Sequence, residues 1–246
     1  FRSLMARVVA PVVSQFFFDQ HTARGVRVML NAFVERLEAG AVILRDGTRV
    51  EAELIVAGIG VLPNDELARE AGLATGNGIA VDEYLRTSDP KIFAIGDCAE
   101  YPSIYADKRV RLESVQNAVD QATSVAKAIC GKPEPYTAVP WFWSTQFDIH
   151  MQTAGLTHDY TETVVRGAAE SNTFSVFYYR GGRLTAVDSI NQAAEHMTAR
   201  KLIGARANVT PTQAADEAFD LKSALLDRKS TRLNSSHTDI SRMPSS

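Results

Sequence analysis

From Thr87 to Asp97 the chain reads Thr-Ser-Asp-Pro-Lys-Ile-Phe-Ala-Ile-Gly-Asp. Its apolar centre, residues 91–95, has the length and character of a buried strand. Ending that strand in Gly96-Asp97 sets a carboxylate at the carboxyl edge of a parallel sheet, where open α/β sheets bind ligands. Gly96 lets a ligand come close to the backbone, and Asp97 can accept hydrogen bonds from hydroxyl groups. A lone Gly-Asp pair is more often a plain strand exit, with the Asp as turn or cap.

The segments around it fall into blocks. Pro11 suits the first turn of a helix, Val12, Val13, Phe16 and Phe17 follow on one face, and Gly25 can close it. Residues 26–30, 33–37 and 41–44 are short strand candidates, Asp46-Gly47 is a hairpin turn, and 49–53 leads into the next element. Residues 54–60 form a continuous apolar run of the kind that fills a sheet covered on both faces. A helix over 65–71 and a strand over 78–85 come next. After Asp97, a helix carries Val115, Ala118, Val119, Ala122, Val125, Ala126 and Ile129 at helical spacing and stops at Gly131 and Pro133. Residues 133–140, with three prolines, read as a linker. Beyond it Phe147, Ile149 and Met151 alternate with polar residues. Strands over 161–166, 173–180 and 183–190, then a helix over 192–203 ending at Gly204, complete an antiparallel α+β block.

Composition narrows the function. With 246 residues, 45% of them hydrophobic and 22% charged, the chain can fill one large core or two ordinary ones. It is not collagen-like, disulfide-stapled or wholly disordered. Lys and Arg number 26 against 29 Asp and Glu, which gives no general nucleic-acid role. The longest apolar stretch, 54–62, is far short of the ~20 residues that a membrane span needs. No leader opens the chain, and Cys98 and Cys130 are too distant for a CxxC pair, so a cytoplasmic protein is expected. His21, His150, His158 and His196 form no metal-binding pair. Residues 227–246 carry six serines and no helical or alternating period. They read as a non-native disordered tail, and 227–237 resemble a translated sequencing adapter. Without their charges the formal net charge moves from −3 to −5.

Three further motifs carry chemistry. Arg111 to Ala118 opens the long helix, and a helix N-terminus presents unpaired N–H groups with a partial positive charge. The natural backbone donor there is Val115 or Gln116; the plain alternative is a surface helix with Ser114 as N-cap. Gly58-Ile59-Gly60-Val61-Leu62-Pro63-Asn64 is weak as a glycine motif, because it lacks a third Gly and a phosphate-binding helix. Pro140-Trp141-Phe142-Trp143-Ser144-Thr145-Gln146 groups three aromatics, a pattern more often seen in interface packing than in cofactor binding.

The Thr87–Asp97 stretch resembles the second flavin motif of two-dinucleotide-domain flavoproteins, T-x(5)-[FY]-A-x-G-D. The distance from Asp97 to the helix, the Gly60-to-Asn64 segment and the PWFWS-x-Q segment all resemble the bacterial ferredoxin and rubredoxin (putidaredoxin-type) reductases. The resemblance covers residues 1–226 in the family's order. It implies an α/β fold, a remnant of the two-dinucleotide-binding-domain (Rossmann-like) flavoprotein fold plus a C-terminal α+β reductase domain. Residues 1–86 would close the NAD(P)H domain, 87–132 the FAD domain, and 138–226 form the C-terminal domain. It also implies FAD and NAD(P)H as cofactors and a ferredoxin or rubredoxin as electron acceptor. Gly96 and Asp97 would hold the ribityl chain, Val115 and Gln116 the flavin edge, Trp143 would pack near the ring, and Gly60 would pass the nicotinamide cofactor.

No acid–base residue is implied. Both glycine-rich fingerprints of the family are absent, so the chain reads as N-terminally truncated and is expected to bind FAD weakly or not at all. A disulfide reductase, a non-enzymatic flavin or NADH-binding protein, and an inactive gene fragment remain as alternatives. Arg180, Arg183, Arg200, Lys201 and Arg206 could form a patch for an acidic partner, against the plainer reading of a solvated surface.

Overall fold

The computed structural model describes residues 3–226; the tail expected at 227–246 lies outside them. Two compact units meet between Leu62 and Pro63. Residues 63–86, read from sequence with the first block, fall in the second unit.

In the first unit, helix α1 (Pro11–Ala23) starts on Pro11, whose missing N–H is no loss in a first turn. It buries Val13, Phe16 and Phe17, the two rings edge-to-face at 5.3 Å. Strands β1 (Val34–Glu38), β2 (Ala41–Leu44) and β3 (Arg49–Glu51) form an antiparallel meander. Asp46 Oδ1 accepts the Thr48 N–H at 2.9 Å in the hairpin turn. Two strand expectations fail. Residues 26–30 form no strand, and neither does the 54–60 run. Leu54, Val56 and Ile59 are 81%, 85% and 93% exposed. A strand buried on both faces needs partners at both edges and layers above and below; among the described residues none pairs with this run.

The second unit opens with helix α2 (Glu66–Glu70) and a four-stranded sheet ordered β4 (Thr75–Gly76), β5 (Gly78–Ala80), β6 (Ala99–Ser103) and β7 (Lys108–Val110). The strand expected over 78–85 stops at Ala80, because Asp82 Oδ1 accepts the N–H groups of Tyr84 and Arg86 and turns the chain. Residues 91–95 are extended but are not a strand; a single bridge, Arg86 to Phe93, pairs them. Helix α3 (Val115–Ile129) follows, as its spacing indicates. The 133–140 connector is docked rather than loose: Tyr136 is buried and its N–H reaches the Glu83 carbonyl at 2.7 Å.

The C-terminal part is a five-stranded antiparallel sheet made from β8 (Trp141–Gln146), β9 (Ile149–Gly155), β10 (Glu162–Ala168), β11 (Thr173–Arg180) and β12 (Arg183–Ile190), in the order β10-β11-β12-β9-β8. Helices α4 (Ala193–Ala205) and α5 (Pro211–Ala215) cover one face. Phe177, Tyr179, Val187, Leu202 and Ile203 form its core. Gly204 does not end α4. The helix runs through it and closes at Arg206, and a Cβ on Gly204 would lie 3.1 Å from Val139. That glycine is there for close packing.

Two buried ionisable groups in this domain oppose each other. Asp188 accepts hydrogen bonds from Thr153 (2.6 Å) and Tyr178, yet its burial outweighs them and pushes the carboxyl up to about 6. His196 is pushed down to about 4, first by burial and then by nearby Arg200. Between about pH 4 and 6 the folded state holds the Asp188 proton more tightly than the unfolded chain, so this group's contribution falls as pH rises. His196 binds its proton less tightly when folded, so its contribution rises with pH. In urea melts from pH 4 to 7, Asp188→Asn should gain stability with rising pH more steeply than wild type. His196→Gln should shift the slope the other way.

Candidate functional site

The extended residues Ala94 and Ile95 deliver the chain to a single 3₁₀ turn, Gly96–Cys98. Gly96 stands at φ +75°, a conformation that favours glycine, and its Cβ position lies 3.5 Å from Ala118 of α3. Its N–H donates to Gln121 Oε1 at 2.7 Å. On the other side the turn is closed by Gly78 at φ +121°, where a Cβ would fall 2.5 Å from the Cys98 carbonyl. The Asp97 side chain is exposed. Its carbonyl accepts Arg111 Nη1 at 2.9 Å, and the same nitrogen reaches Glu113 Oε1 at 2.6 Å. Only 8% of the Arg111 side chain is exposed.

Helix α3 begins beside this turn. Ser114 is extended, and its Oγ accepts the Asn117 N–H at 3.1 Å. That cap leaves the N–H groups of Val115 and Gln116 without a helical acceptor. Val115 is exposed, and the Gln116 side chain lies along the helix on Asp120 at 2.7 Å. Below the cap, buried Asn117 accepts the Tyr101 and Tyr136 hydroxyls, each at 3.2 Å, and donates to the Leu112 carbonyl at 3.1 Å. Burial pushes both phenols well above their ordinary range, which keeps them donors.

This arrangement corrects the expected helix face. Asn117, Gln121 and Val125 are the buried stripe of α3, whereas Val115, Val119 and Ile129 are 66%, 52% and 71% exposed. Apolar periodicity marks a face that can be covered; tertiary packing chooses which face is.

Trp143 is on β8, against which α3 packs, and is 48% exposed. Its ring centroid is 5.6 Å from that of Trp141, which also meets His196 at 5.3 Å and carries the Arg200 guanidinium at 4.6 Å. The structure thus brings Gly96, Asp97, Val115 and Gln116 together and sets Trp143 on a strand adjoining the same helix. Gly60 belongs to the first unit. It has φ +93° with no atom within 4 Å of its Cβ position, in the exposed apolar run.

Other expected features resolve differently. Arg180 is engaged by Asp107 at 2.7 Å and Arg206 by the Ile104 carbonyl, so these two are not simply solvated. Cys130 is exposed and Cys98 is partly buried. Among the described residues, no group of three or more His, Cys, Asp or Glu could hold a metal ion, and no helix is long and apolar enough to cross a membrane. Sequence reading missed Gln121, Tyr101 and Tyr136 as parts of the site. The signal for Gln121 was an amide three residues after Ala118 and four before Val125, inside the apolar stripe.

Two family models match the chain: Pyridine nucleotide-disulphide oxidoreductase over residues 2–122 and Reductase C-terminal over residues 141–225. The chain thus carries a pyridine nucleotide-disulphide oxidoreductase region followed by a reductase C-terminal domain. Among curated relatives it is 47% identical to rhodocoxin reductase of Rhodococcus erythropolis and 41% identical to putidaredoxin reductase CamA of Pseudomonas putida, over 92% of the chain in each case. It covers 54% and 55% of those proteins, so the chain spans about half the length of the curated relatives it matches. Among solved structures, the ferredoxin reductase for the CYP199A2 system from Rhodopseudomonas palustris matches with TM-score 0.87 and 44% identity, over 90% of this chain and 56% of that one. The reductase of a covalent putidaredoxin reductase–putidaredoxin complex gives 0.88 and 41%, over 92% and 56%.

Replacing Ser114 by Ala removes the cap of α3 and should lower stability by about 1 kcal/mol, measured by urea unfolding. Hydrogen exchange should show the loss concentrated at residues 115–118.

Proposed function

We propose that this chain is the flavin-edge and C-terminal portion of a reductase that passes electrons from NAD(P)H through FAD to a ferredoxin or rubredoxin. The observation that carries the reading is the exposed Asp97 carboxylate on a turn tied to the capped N-terminus of α3. In this reading residues 1–86 close the NAD(P)H domain, 87–132 close the FAD domain and 138–226 are the C-terminal domain. FAD, when bound, supplies the hydride-accepting and electron-releasing chemistry; the protein supplies orientation and electrostatics.

The donor set fits the ribityl and ring end of that cofactor. Asp97 offers carboxyl oxygens as acceptors for ribityl hydroxyls, and Gly96 leaves room beside the backbone. The spare N–H groups of Val115 and Gln116 would hold the flavin's pyrimidine edge and stabilise negative charge there. Trp143 offers a half-exposed aromatic face for the ring, and Gly60 gives close passage near the nicotinamide cofactor. The chain has no glycine-rich loop for a pyrophosphate. Cys98 and Cys130, both free thiols, suit a cytoplasmic setting.

The chain should therefore bind FAD and FMN weakly and about equally, because its contacts end at the ribityl chain. Fluorescence titration checks this, and Asp97→Ala should weaken both by about tenfold. Indifference to Asp97→Ala overturns the assignment of Asp97, and stoichiometric tight FAD binding overturns the expectation that the contacts end at the ribityl chain. For the partner, reversing Arg183 and Lys201 to Glu should slow association with an acidic ferredoxin at low salt in stopped-flow measurements.

A further inference from the structure

Gln121 occupies a core position of α3, fully buried, with Asn117 and Val125 on the same face. An apolar side chain would serve packing there at least as well. Instead the position carries an amide that is only half satisfied. Oε1 accepts the Gly96 N–H at 2.7 Å, and Nε2 is buried with no hydrogen-bond partner among the described residues. The Gly96 donor fixes which end of the amide is the oxygen. The unpartnered Nε2 is a cost, and the bond from the buried Gly96 N–H to Oε1 offsets it, so the amide is held here by what it does for the turn.

The geometry accounts for it. Gly96 is at φ +75°, and its N–H points into α3 rather than along a strand ladder. Ala118, one turn before Gln121, meets the Gly96 Cβ position at 3.5 Å. The Gln121 bond therefore fixes both the height and the rotation of the Gly96–Cys98 turn against the helix. Arg111 fixes the far side through the Asp97 carbonyl. The exposed Asp97 carboxylate and the open N–H groups of Val115 and Gln116 are held in one frame only while both ties are made.

We infer that Gln121 is a positioning residue, which sets the Asp97 carboxylate relative to the N-terminus of α3 by holding the Gly96 amide. This rests on the flavin reading of the site and adds to it a residue that touches no ligand.

The test compares the wild-type chain with Gln121→Met, which keeps the volume and removes the acceptor, and Ser114→Ala as a control that weakens the helix cap instead. Hydrogen exchange and thermal melting are read beside FMN fluorescence titration. Gln121→Met leaves the buried Gly96 N–H without its acceptor, so it should melt modestly below wild type while keeping protection in α3 and the C-terminal sheet. It should lose protection at Gly96–Cys98 and bind FMN about tenfold more weakly. Unchanged FMN affinity with a wild-type chain that does bind, or unchanged exchange at Gly96–Cys98, overturns the positioning role alone. Absence of any FMN binding by the wild-type chain overturns the reading of the site, and the positioning role with it. Protection lost throughout α3 and the C-terminal sheet, rather than at Gly96–Cys98, makes Gln121 a plain packing residue and also overturns it.

Discussion

The backbone N–H of Gly96 has no strand to bond to, and the arrangement of the site depends on where that one donor goes. It goes into a helix, to Gln121. Buried backbone groups are strongly constrained to find partners, so this bond couples two segments that the chain separates by 25 residues. Around it the other ties follow. Arg111 holds the Asp97 carbonyl, Ser114 caps the helix, and Asn117 gathers two tyrosine hydroxyls beneath the cap. A small set of polar side chains in a part of the molecule with little regular sheet does the work that a strand ladder does elsewhere.

The C-terminal domain is organised on different terms. Its five strands satisfy their backbones through antiparallel pairing, and its buried residues are apolar apart from Arg166, Asp188, His196 and a few hydroxyls. The opposed shifts of Asp188 and His196 come from the same cause, removal of a titratable group from water. They differ in sign because one is charged when deprotonated and the other when protonated. Arg166 does for the chain end what Gln121 does for the turn: it bonds to Glu195 and to the carbonyls of Ala214, Asp216, Glu217 and Phe219, pinning the segment after α5.

Legibility followed locality. Strands 173–180 and 183–190 read off the sequence with their observed limits, because β-rich runs joined at Gly181-Gly182 specify a hairpin without outside help. The Ser114 cap and the start of α3 were legible for the same reason. The runs at 54–60 and 91–95 were misread, since an apolar segment becomes a strand only where neighbours accept its backbone. The aromatics of β8 suggested interface packing and no strand, and pairing with β9 made them one.

By itself the sequence determined the chemistry available: a Gly-Asp exit, a capped helix after it, an aromatic segment opening an α+β domain, and with these the family resemblance. Tertiary structure decided which groups meet. It put the amides of Asn117 and Gln121 inside and the valines of α3 outside, and it bent Gly96–Cys98 into a turn instead of a strand end. The reason is that a side chain's period along a helix fixes its direction only relative to its neighbours on that helix. Which direction is the interior depends on what the rest of the chain packs against it.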